Sequence, residues 1–438
     1  MSKEIAIKAL EIALKAGAQQ SHISYSEACQ NILATHNGEI ERLHYSNGAS
    51  LFIQLYVDER YGAFSTNMMD IGNLNSFIKQ GIKATRLLTA DPCRTLPNPS
   101  LYFKGEQKDL GQFDNNYNNI SAIQKKELIL NSYIPGTNWD KRLISMDCEY
   151  EDILECSFMI DSQGFQAEAL NTMYTLSAEC SVIGDNDARP EGWWYHSAMH
   201  SDKLQWMDCS RIALDRALAK LNPGKLKSGK YKIIVENSVA SKLISPIISA
   251  LNGGSIQQKN SFLMDALGKK IFSEKMTLID EPHRFGAVGS RYHDSEGIAT
   301  APHSIIEDGV IKTYFINTYY ANKLGTTPTI EGPSVPILKT NMHKGASSTD
   351  LIKEVERGIL ITGFNGGNCN QGTGDFSYGI EGHYFEGGRI KHPINEMNIT
   401  GNMTTLWSDL LYVADDAREC SKWQIPAIAF EKIDITGI

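Results

Sequence analysis

The sequence lacks the features of several specialised protein classes. No apolar run of about 18 residues occurs in its 438 positions, which excludes a transmembrane helix on length. Lys and Arg number 42 against 51 Asp and Glu, so there is no surplus of positive charge with which to bind phosphates. We therefore expect neither a membrane nor a nucleic acid among its partners.

Cysteine is scarce and scattered, and no Cys-x-x-Cys pair occurs. Eight cysteines in a chain of this length are too few for a disulfide scaffold, so we expect reduced thiols. The first 12 residues carry acidic side chains among the apolar ones, unlike a signal peptide. These observations predict a cytoplasmic protein.

The periodicity of apolar residues predicts an α+β fold with two domains. The N-terminal domain, 1–222, combines an antiparallel sheet with helices. It contains a first segment to about 90, an exposed connecting loop over 91–119 and a middle segment over 120–222. After a linker at 223–230, the C-terminal domain, 231–438, is expected to be β-rich, antiparallel and barrel-like.

Two dipeptides, Asn37-Gly38 and Asn47-Gly48, each predict a two-residue hairpin turn. His196 and His200 have the i, i+4 spacing that could chelate zinc on a helix. The neighbouring Trp and Tyr residues favour a strand, in which such positions lie about 13 Å apart. His283, His293 and His303 recur every ten residues, either without functional meaning or on a substrate-facing surface.

A glycine-rich stretch over 363–379 lacks the Gly-Lys-Ser/Thr of a phosphate loop and the context of a dinucleotide site. Glycines in a strand permit close approach of another backbone, so a peptide could bind there through main-chain hydrogen bonds. A bulged, tightly turned strand is the alternative. The candidate peptide-binding residues are Gly374, Asp375, Phe376, Ser377, Tyr378 and Gly379.

The order of several short motifs resembles the TldD/PmbA family, whose members have been described as modulators of DNA gyrase. The motifs span nearly the whole chain. They are 37–42, 48–64, 161–164, 231–235, 296–300, 306–312, 374–379 and 399–403. The resemblance implies a cytosolic protease of two related subunits, TldD and TldE (also called PmbA), that acts on unfolded peptides.

In TldD-type members, the resemblance implies a zinc site built from a His-Glu-x-x-x-His helix and a cysteine near the C-terminus. The corresponding helix here, 237–254, contains no histidine, and Ile247, Ile248 and Asn252 occupy the motif positions. Aliphatic side chains neither ligate zinc nor act as a general base. Cys420 resembles the third ligand, but a lone thiolate does not hold catalytic zinc. Pro246 predicts a kink in this helix or an earlier end.

The resemblance therefore implies a metal-free TldE/PmbA-type subunit, paired with a TldD-like zinc subunit in a heterodimer. No cofactor is expected in this chain, and zinc is expected in its partner. One alternative is a peptide-binding, chaperone-like homodimer. Another is a hydrolase with a rebuilt metal site. Its candidate residues are His283, His293, His303, His343, His383 and Cys420.

Overall fold

The computed structural model describes residues 2–133 and 140–437. Its N-terminal half contains a six-stranded antiparallel sheet with the strand order β3-β2-β1-β4-β5-β6. The strands are β1 Gln20–His36, β2 Glu39–Val57, β3 Arg60–Thr66, β4 Leu143–Asp161, β5 Gln166–Val182 and β6 Glu191–Ala198. This part of the predicted α+β fold is confirmed.

Four helices cover the N-terminal sheet. They are α1 Ser2–Lys15, α2 Ile71–Thr85, α3 Ala122–Ser132 and α4 Cys209–Leu218. Apolar residues of α1 and α2 bury against one end of the sheet, around Ile23 and Ile53. Those of α3 and α4 bury against the other end, around Tyr150 and Leu176. The long strands thus contribute side chains from one face of the sheet to two separate apolar cores.

Only the first of the two predicted hairpin turns is correct. Asn37 and Gly38 both have positive φ, at 50° and 81°, and join β1 to β2. Asn47 and Gly48 instead lie within β2, opposite Cys29 and Ala28 of β1. The second prediction is wrong because the continuous partner strand outweighs the local turn preference.

The connecting segment over 91–119 is irregular, as predicted, but it is not simply exposed. Leu96 and Tyr102 are buried, and the Phe103 N–H donates to Gly297 O at 3.0 Å. Tyr102 also donates its hydroxyl hydrogen to Asp161. The segment packs between the two halves because its backbone groups find hydrogen-bond partners in the C-terminal half.

The C-terminal half contains a six-stranded sheet with the order β14-β13-β12-β7-β16-β15. Because β14 pairs with both β13 and β16, five of these strands close into a barrel. The six strands are β7 Gly229–Val235, β12 Arg357–Cys369, β13 Asp375–Glu386, β14 Arg389–Asn402, β15 Leu410–Val413 and β16 Ile428–Thr436. The barrel-like prediction is confirmed, although the β7–β12 pair is parallel.

A smaller four-stranded sheet and five helices complete this half. The sheet contains β8 Leu278–Asp280, β9 His303–Glu307, β10 Val310–Ile311 and β11 Pro336–Leu338. The helices are α5 Ser241–Ala250, α6 Gly253–Gln257, α7 Thr318–Leu324, α8 Ser348–Val355 and α9 Met403–Ser408. In the described residues, no helix is both long and apolar enough to cross a membrane. The strand β7 begins inside the predicted linker at 223–230, and the proposed division into domains stays a prediction.

Helix α5 is shorter than the predicted helix over 237–254. It begins at Ser241, continues through Pro246 to Ala250, and is separated from α6 by a turn at Asn252. Leu243, Ile244 and Ile247 have no exposed surface and belong to the largest apolar core. The predicted core-facing stripe is therefore confirmed, and the early stop at Pro246 is wrong.

A buried histidine where β1 meets the C-terminal half makes stability depend on pH. Burial lowers the pKa of His22 from 6.5 to about 4, with Asp161 opposing this shift and His293 adding to it. Between these pH values the unfolded chain binds a proton that the folded chain does not. The contribution of His22 to stability is therefore fully present above pH 6.5 and is lost as the pH falls to about 4.

We expect this residue to contribute a loss of about 3 kcal/mol in the free energy of unfolding across that pH range. The variant His22→Gln should show a correspondingly shallower pH dependence in urea denaturation. His44→Gln, at an exposed position on β2, is the matched control and should retain the wild-type slope. Equal slopes for all three proteins would contradict the prediction.

Candidate functional site

Strand β12 has a free edge along its second half. Residues 359–361 pair with β7. Among the described residues, the rest of the strand to 369 has β13 as its only strand neighbour, and residues 362, 365 and 366 are left out of that pairing at bulges. The parallel neighbour ends at Val235, and the Glu236 N–H donates to Ile361 O at 3.0 Å as the chain leaves the sheet. One side of β12 therefore faces helix α5 across a cleft instead of another strand.

This β12 cleft consists of two recesses of about 480 and 250 Å3 that share Lys242 and Ser245. Residues on α5 form one wall and the second half of β12 forms the other. The lining residues are Trp193, Val239, Ser241, Lys242, Ser245, Pro246, Ser249, Thr362, Gly363, Phe364, Asn365, Gly367, Asn368, Cys369, Gln371, Tyr378, Glu381 and Trp423. The polar stripe of α5 thus faces the cleft while its apolar stripe faces the core.

Two bulges shape β12 beside the cleft. The pairing with β13 shifts between Ile361 and Gly363 and again between Phe364 and Gly367. Gly367 has φ of 86°, and a Cβ atom at this position would collide with the carbonyl oxygen of Ser377. The second bulge therefore requires glycine, and it leaves residues 365–368 exposed.

Aromatic residues of β6 stand at the mouth of the cleft. Trp193 is half exposed and stacks on Tyr195 with the rings 5.7 Å apart. Between them in sequence, the Trp194 ring lies 4.0 Å from the Arg418 guanidinium and 5.1 Å from that of Arg216. The Arg418 contact joins β6 to the C-terminal half, the Arg216 contact joins it to α4, and Trp193 adds an aromatic face to the lining of the cleft.

Arg216 joins the two halves of the chain directly below this aromatic surface. Its Nη1 atom donates to Glu236 at 2.9 Å, and its Nη2 atom donates to Thr362 O at 3.1 Å. The arginine comes from α4, whereas both acceptors flank the free edge of β12. The ion pair thus positions the start of the edge.

The predicted peptide-binding segment, Gly374–Gly379, lies on the neighbouring strand. Residues 375–379 pair with β14, and 376–378 also pair with β12. The backbone of residues 376–378 therefore already has strand partners on both sides. Within this segment, Phe376 and Tyr378 are both buried, and Tyr378 also forms part of the cleft wall. A role in peptide binding for the segment itself stays a prediction.

The residues at the metal-motif positions do not form a donor set. Ile247 is fully buried and Ile248 partly buried in the apolar core. The Asn252 side chain accepts a hydrogen bond from the Gly254 N–H at 2.9 Å and so caps α6. Cys420 is a buried free thiol. Two aliphatic side chains, an amide engaged in a helix cap and a thiol do not fit catalytic zinc.

The candidate histidines have separate partners. His196 lies in β6 and accepts from the Gln205 N–H at 3.2 Å, whereas His200 lies beyond the strand and bonds to Gly111 O at 3.1 Å. The strand prediction for His196 is thus confirmed. His283 contacts Thr300, and His383 contacts Ala219. Within 2–133 and 140–437, no three His, Cys, Asp or Glu side chains are grouped so that they could hold a metal ion.

Comparison with known proteins identifies the family. Residues 228–437 match the family described as the PmbA/TldA metallopeptidase C-terminal domain. A crystal structure from Bacteroides thetaiotaomicron, of a protein described as a proposed modulator of DNA gyrase, is 42% identical with a TM-score of 0.96. The alignment covers 100% of this chain and 99% of that one. The chain belongs to the PmbA/TldD metalloprotease family.

More distant relatives also align along nearly their whole length. A metalloprotease PmbA homolog from Haemophilus influenzae is 29% identical over 98% of this chain and 94% of its own length. Metalloprotease PmbA from Escherichia coli O157:H7 is 26% identical, with 99% and 96% covered. TldE from Thermococcus kodakarensis shares the fold, with a TM-score of 0.86 at 20% identity over 99% and 100% of the two chains.

The predicted family is confirmed, but the β12 cleft was not predicted. A signal for it exists in the sequence, because Lys242, Ser245 and Ser249 repeat at helical spacing opposite the apolar stripe of α5. The exposure of Trp193 and the free edge of β12 carry no such signal. Both depend on where β6 and β7 end relative to the barrel.

Proposed function

We propose that the chain is the metal-free, TldE/PmbA-like subunit of a TldD/TldE-type metalloprotease, and that its β12 cleft holds an extended peptide. The observation that carries this proposal is the free edge of β12, which lies beside helix α5. On α5, the positions of the family's metal motif are occupied by Ile247 and Ile248, which pack in the apolar core. The zinc and the general base would belong to a TldD-like partner. The location proposed for this assembly is the cytoplasm.

The free strand edge supports peptide binding by strand addition. Unpaired N–H and C=O groups along one edge of a strand can form hydrogen bonds with the backbone of another extended chain. These bonds depend little on the side chains of the added chain. The bulge at Gly367 and the exposed backbone over 365–368 leave room for such a chain. Unfolded peptides, which have free backbone groups, are therefore the proposed ligands.

The chemistry of α5 supports a metal-free subunit. A zinc-binding helix of this family would present imidazole and carboxylate groups, whereas Ile247 and Ile248 pack into the core. A partner chain with its own donors would have to supply bond cleavage. We therefore propose no cofactor for this chain and no catalytic residue within it.

An alternative is a homodimer that holds unfolded peptides without cutting them. The free edge of β12 also fits this function, because adding a peptide strand to a sheet edge requires no metal ion. Copurification distinguishes the two functions. A TldD-like protein recovered with the tagged chain would support the protease subunit, whereas a stable self-dimer that binds peptides would support the alternative.

We expect the isolated chain to hydrolyse no peptide after incubation with zinc, because its metal-motif positions offer no ligands. Fluorogenic peptide turnover and the zinc content after dialysis test this expectation. Cys420→Ser should bind the same residual amount of zinc as the wild type. Turnover that a chelator abolishes, with about one zinc per chain, would assign the reaction to this chain and overturn the proposal.

A further inference from the structure

Lys242 places a positive charge inside the β12 cleft, with no carboxylate beside it in the part of the chain that the structure describes. Its side chain is exposed, lies on α5 and lines both recesses. Residues 2–133 and 140–437 place no carboxylate oxygen within 4.0 Å of its Nζ atom. The Nζ atom instead lies 5.3 Å from the centre of the Tyr378 ring. Burial raises the pKa of Tyr378 to about 12, so its ring stays neutral and its face attracts the cation.

The acidic groups near the cleft are neutralised by other cations. Glu381, which lines the larger recess, pairs with Lys220 at 2.8 Å. Glu236, next to the start of the free edge, pairs with Arg216 at 2.9 Å. In the described residues, Lys242 therefore carries the positive charge of the cleft that no acidic side chain neutralises. The formal net charge of the whole chain is −9. This local field favours a negatively charged group on whatever occupies the cleft.

The position of Lys242 relates this charge to a bound peptide. The residue lies where the two recesses meet, opposite the exposed part of β12. Ser245 follows one turn along the helix and is exposed in both recesses, so its hydroxyl can donate to the same anion. A strand added to this edge of β12 would lie between β12 and α5, within the cleft that Lys242 lines.

We propose that the β12 cleft selects peptide segments that carry a carboxylate and that Lys242 binds this group. This inference rests on the proposed function, because it requires that the cleft hold a peptide. The carboxylate belongs either to an Asp or Glu side chain or to the C-terminus of the peptide. Both sources offer the same two oxygen acceptors to the ammonium group.

Four short peptides test the proposal against the full-length chain. They share a Ser/Thr/Ala sequence and carry either a central Glu or a central Gln, each with a free or an amidated C-terminus. Calorimetric titration measures the affinities for the wild type, Lys242→Met and Lys242→Glu. Lys79→Met changes an exposed lysine on α2 and is the matched control.

We expect the carboxylate-bearing peptides to bind the wild type about fivefold more tightly than the amidated Gln peptide, as for a solvent-exposed ion pair. Lys242→Met should remove this preference, Lys242→Glu should reverse it, and Lys79→Met should keep it. Raising the ionic strength from about 0.05 to about 0.5 M should reduce it. Tighter binding of the amidated Glu peptide would identify a side-chain carboxylate as the group bound. Tighter binding of the Gln peptide with a free C-terminus would identify the C-terminal carboxylate.

Equal affinities of all four peptides for the wild type would overturn the selectivity and leave peptide binding intact. A preference that survives in Lys242→Met would overturn the role of Lys242. If the wild type binds none of the peptides, the proposed function fails, and the selectivity fails with it.

Discussion

Replacing Ser245 with tryptophan is expected to weaken peptide binding by about tenfold or more. Ser245 is exposed on α5 and lines both recesses of the β12 cleft, the smaller of which measures about 250 Å3. An indole at this position would occupy the space that an added strand needs beside β12. A tenfold loss corresponds to about 1.4 kcal/mol of binding free energy.

The stability of the Ser245→Trp variant should change little, since the serine is exposed and its hydroxyl has no assigned role in the core. We expect the free energy of unfolding to stay within about 0.5 kcal/mol of the wild type in urea denaturation. Ser76→Trp, at an exposed position on α2, is the matched control and should bind peptides normally. Wild-type affinity in a folded Ser245→Trp protein would show that peptides do not bind in this cleft.

Installing a histidine at Ile247 should destabilise the protein and should not create a zinc site. The Ile247 side chain has no exposed surface and packs within the largest apolar core. An imidazole there would lose apolar contacts and bury polar nitrogen atoms without partners. We expect Ile247→His to lower the free energy of unfolding by about 3 kcal/mol.

The full motif, built as Ile247→His with Ile248→Glu and Asn252→His, should be less stable still, because it also removes the side-chain cap of α6. Urea denaturation and zinc content after dialysis test both variants. Ile123→His, at a position 69% exposed on α3, should stay within about 0.5 kcal/mol of the wild type. Stoichiometric zinc in a stable triple variant would instead show that these positions face a site.

Local patterns in the sequence predicted much of the secondary structure. The apolar stripe through Leu243, Ile244 and Ile247 predicted a core-facing helix, and those residues are fully buried. Asn37-Gly38 predicted the β1–β2 turn, because a two-residue turn between antiparallel strands requires positive φ at both positions. Both features depend on residues within a few positions of one another, and such local preferences can be read from a single chain.

The errors arose where distant segments decide the conformation. Asn47-Gly48 continues in a strand because β1 pairs along it, and Tyr102 is buried because Phe165 and Ala167, more than 60 residues away in the sequence, pack against it. The sequence also does not show that residues 376–378 of the glycine-rich stretch have strand neighbours on both sides; the role of Gly374–Gly379 in peptide binding stays a prediction. The position of a strand within a closed barrel is set by pairings far apart in sequence.

The family, the α+β class and the aliphatic side chains at the metal-motif positions can be read from the amino-acid sequence, because they depend on which residues occur and in what order. Which strand edge is free becomes visible only in the folded chain. That edge exists because β7 ends at Val235 while β12 continues to Cys369. The same difference in strand length leaves Lys242 facing an open cleft. In the described residues, no strand fills the space between the second half of β12 and α5.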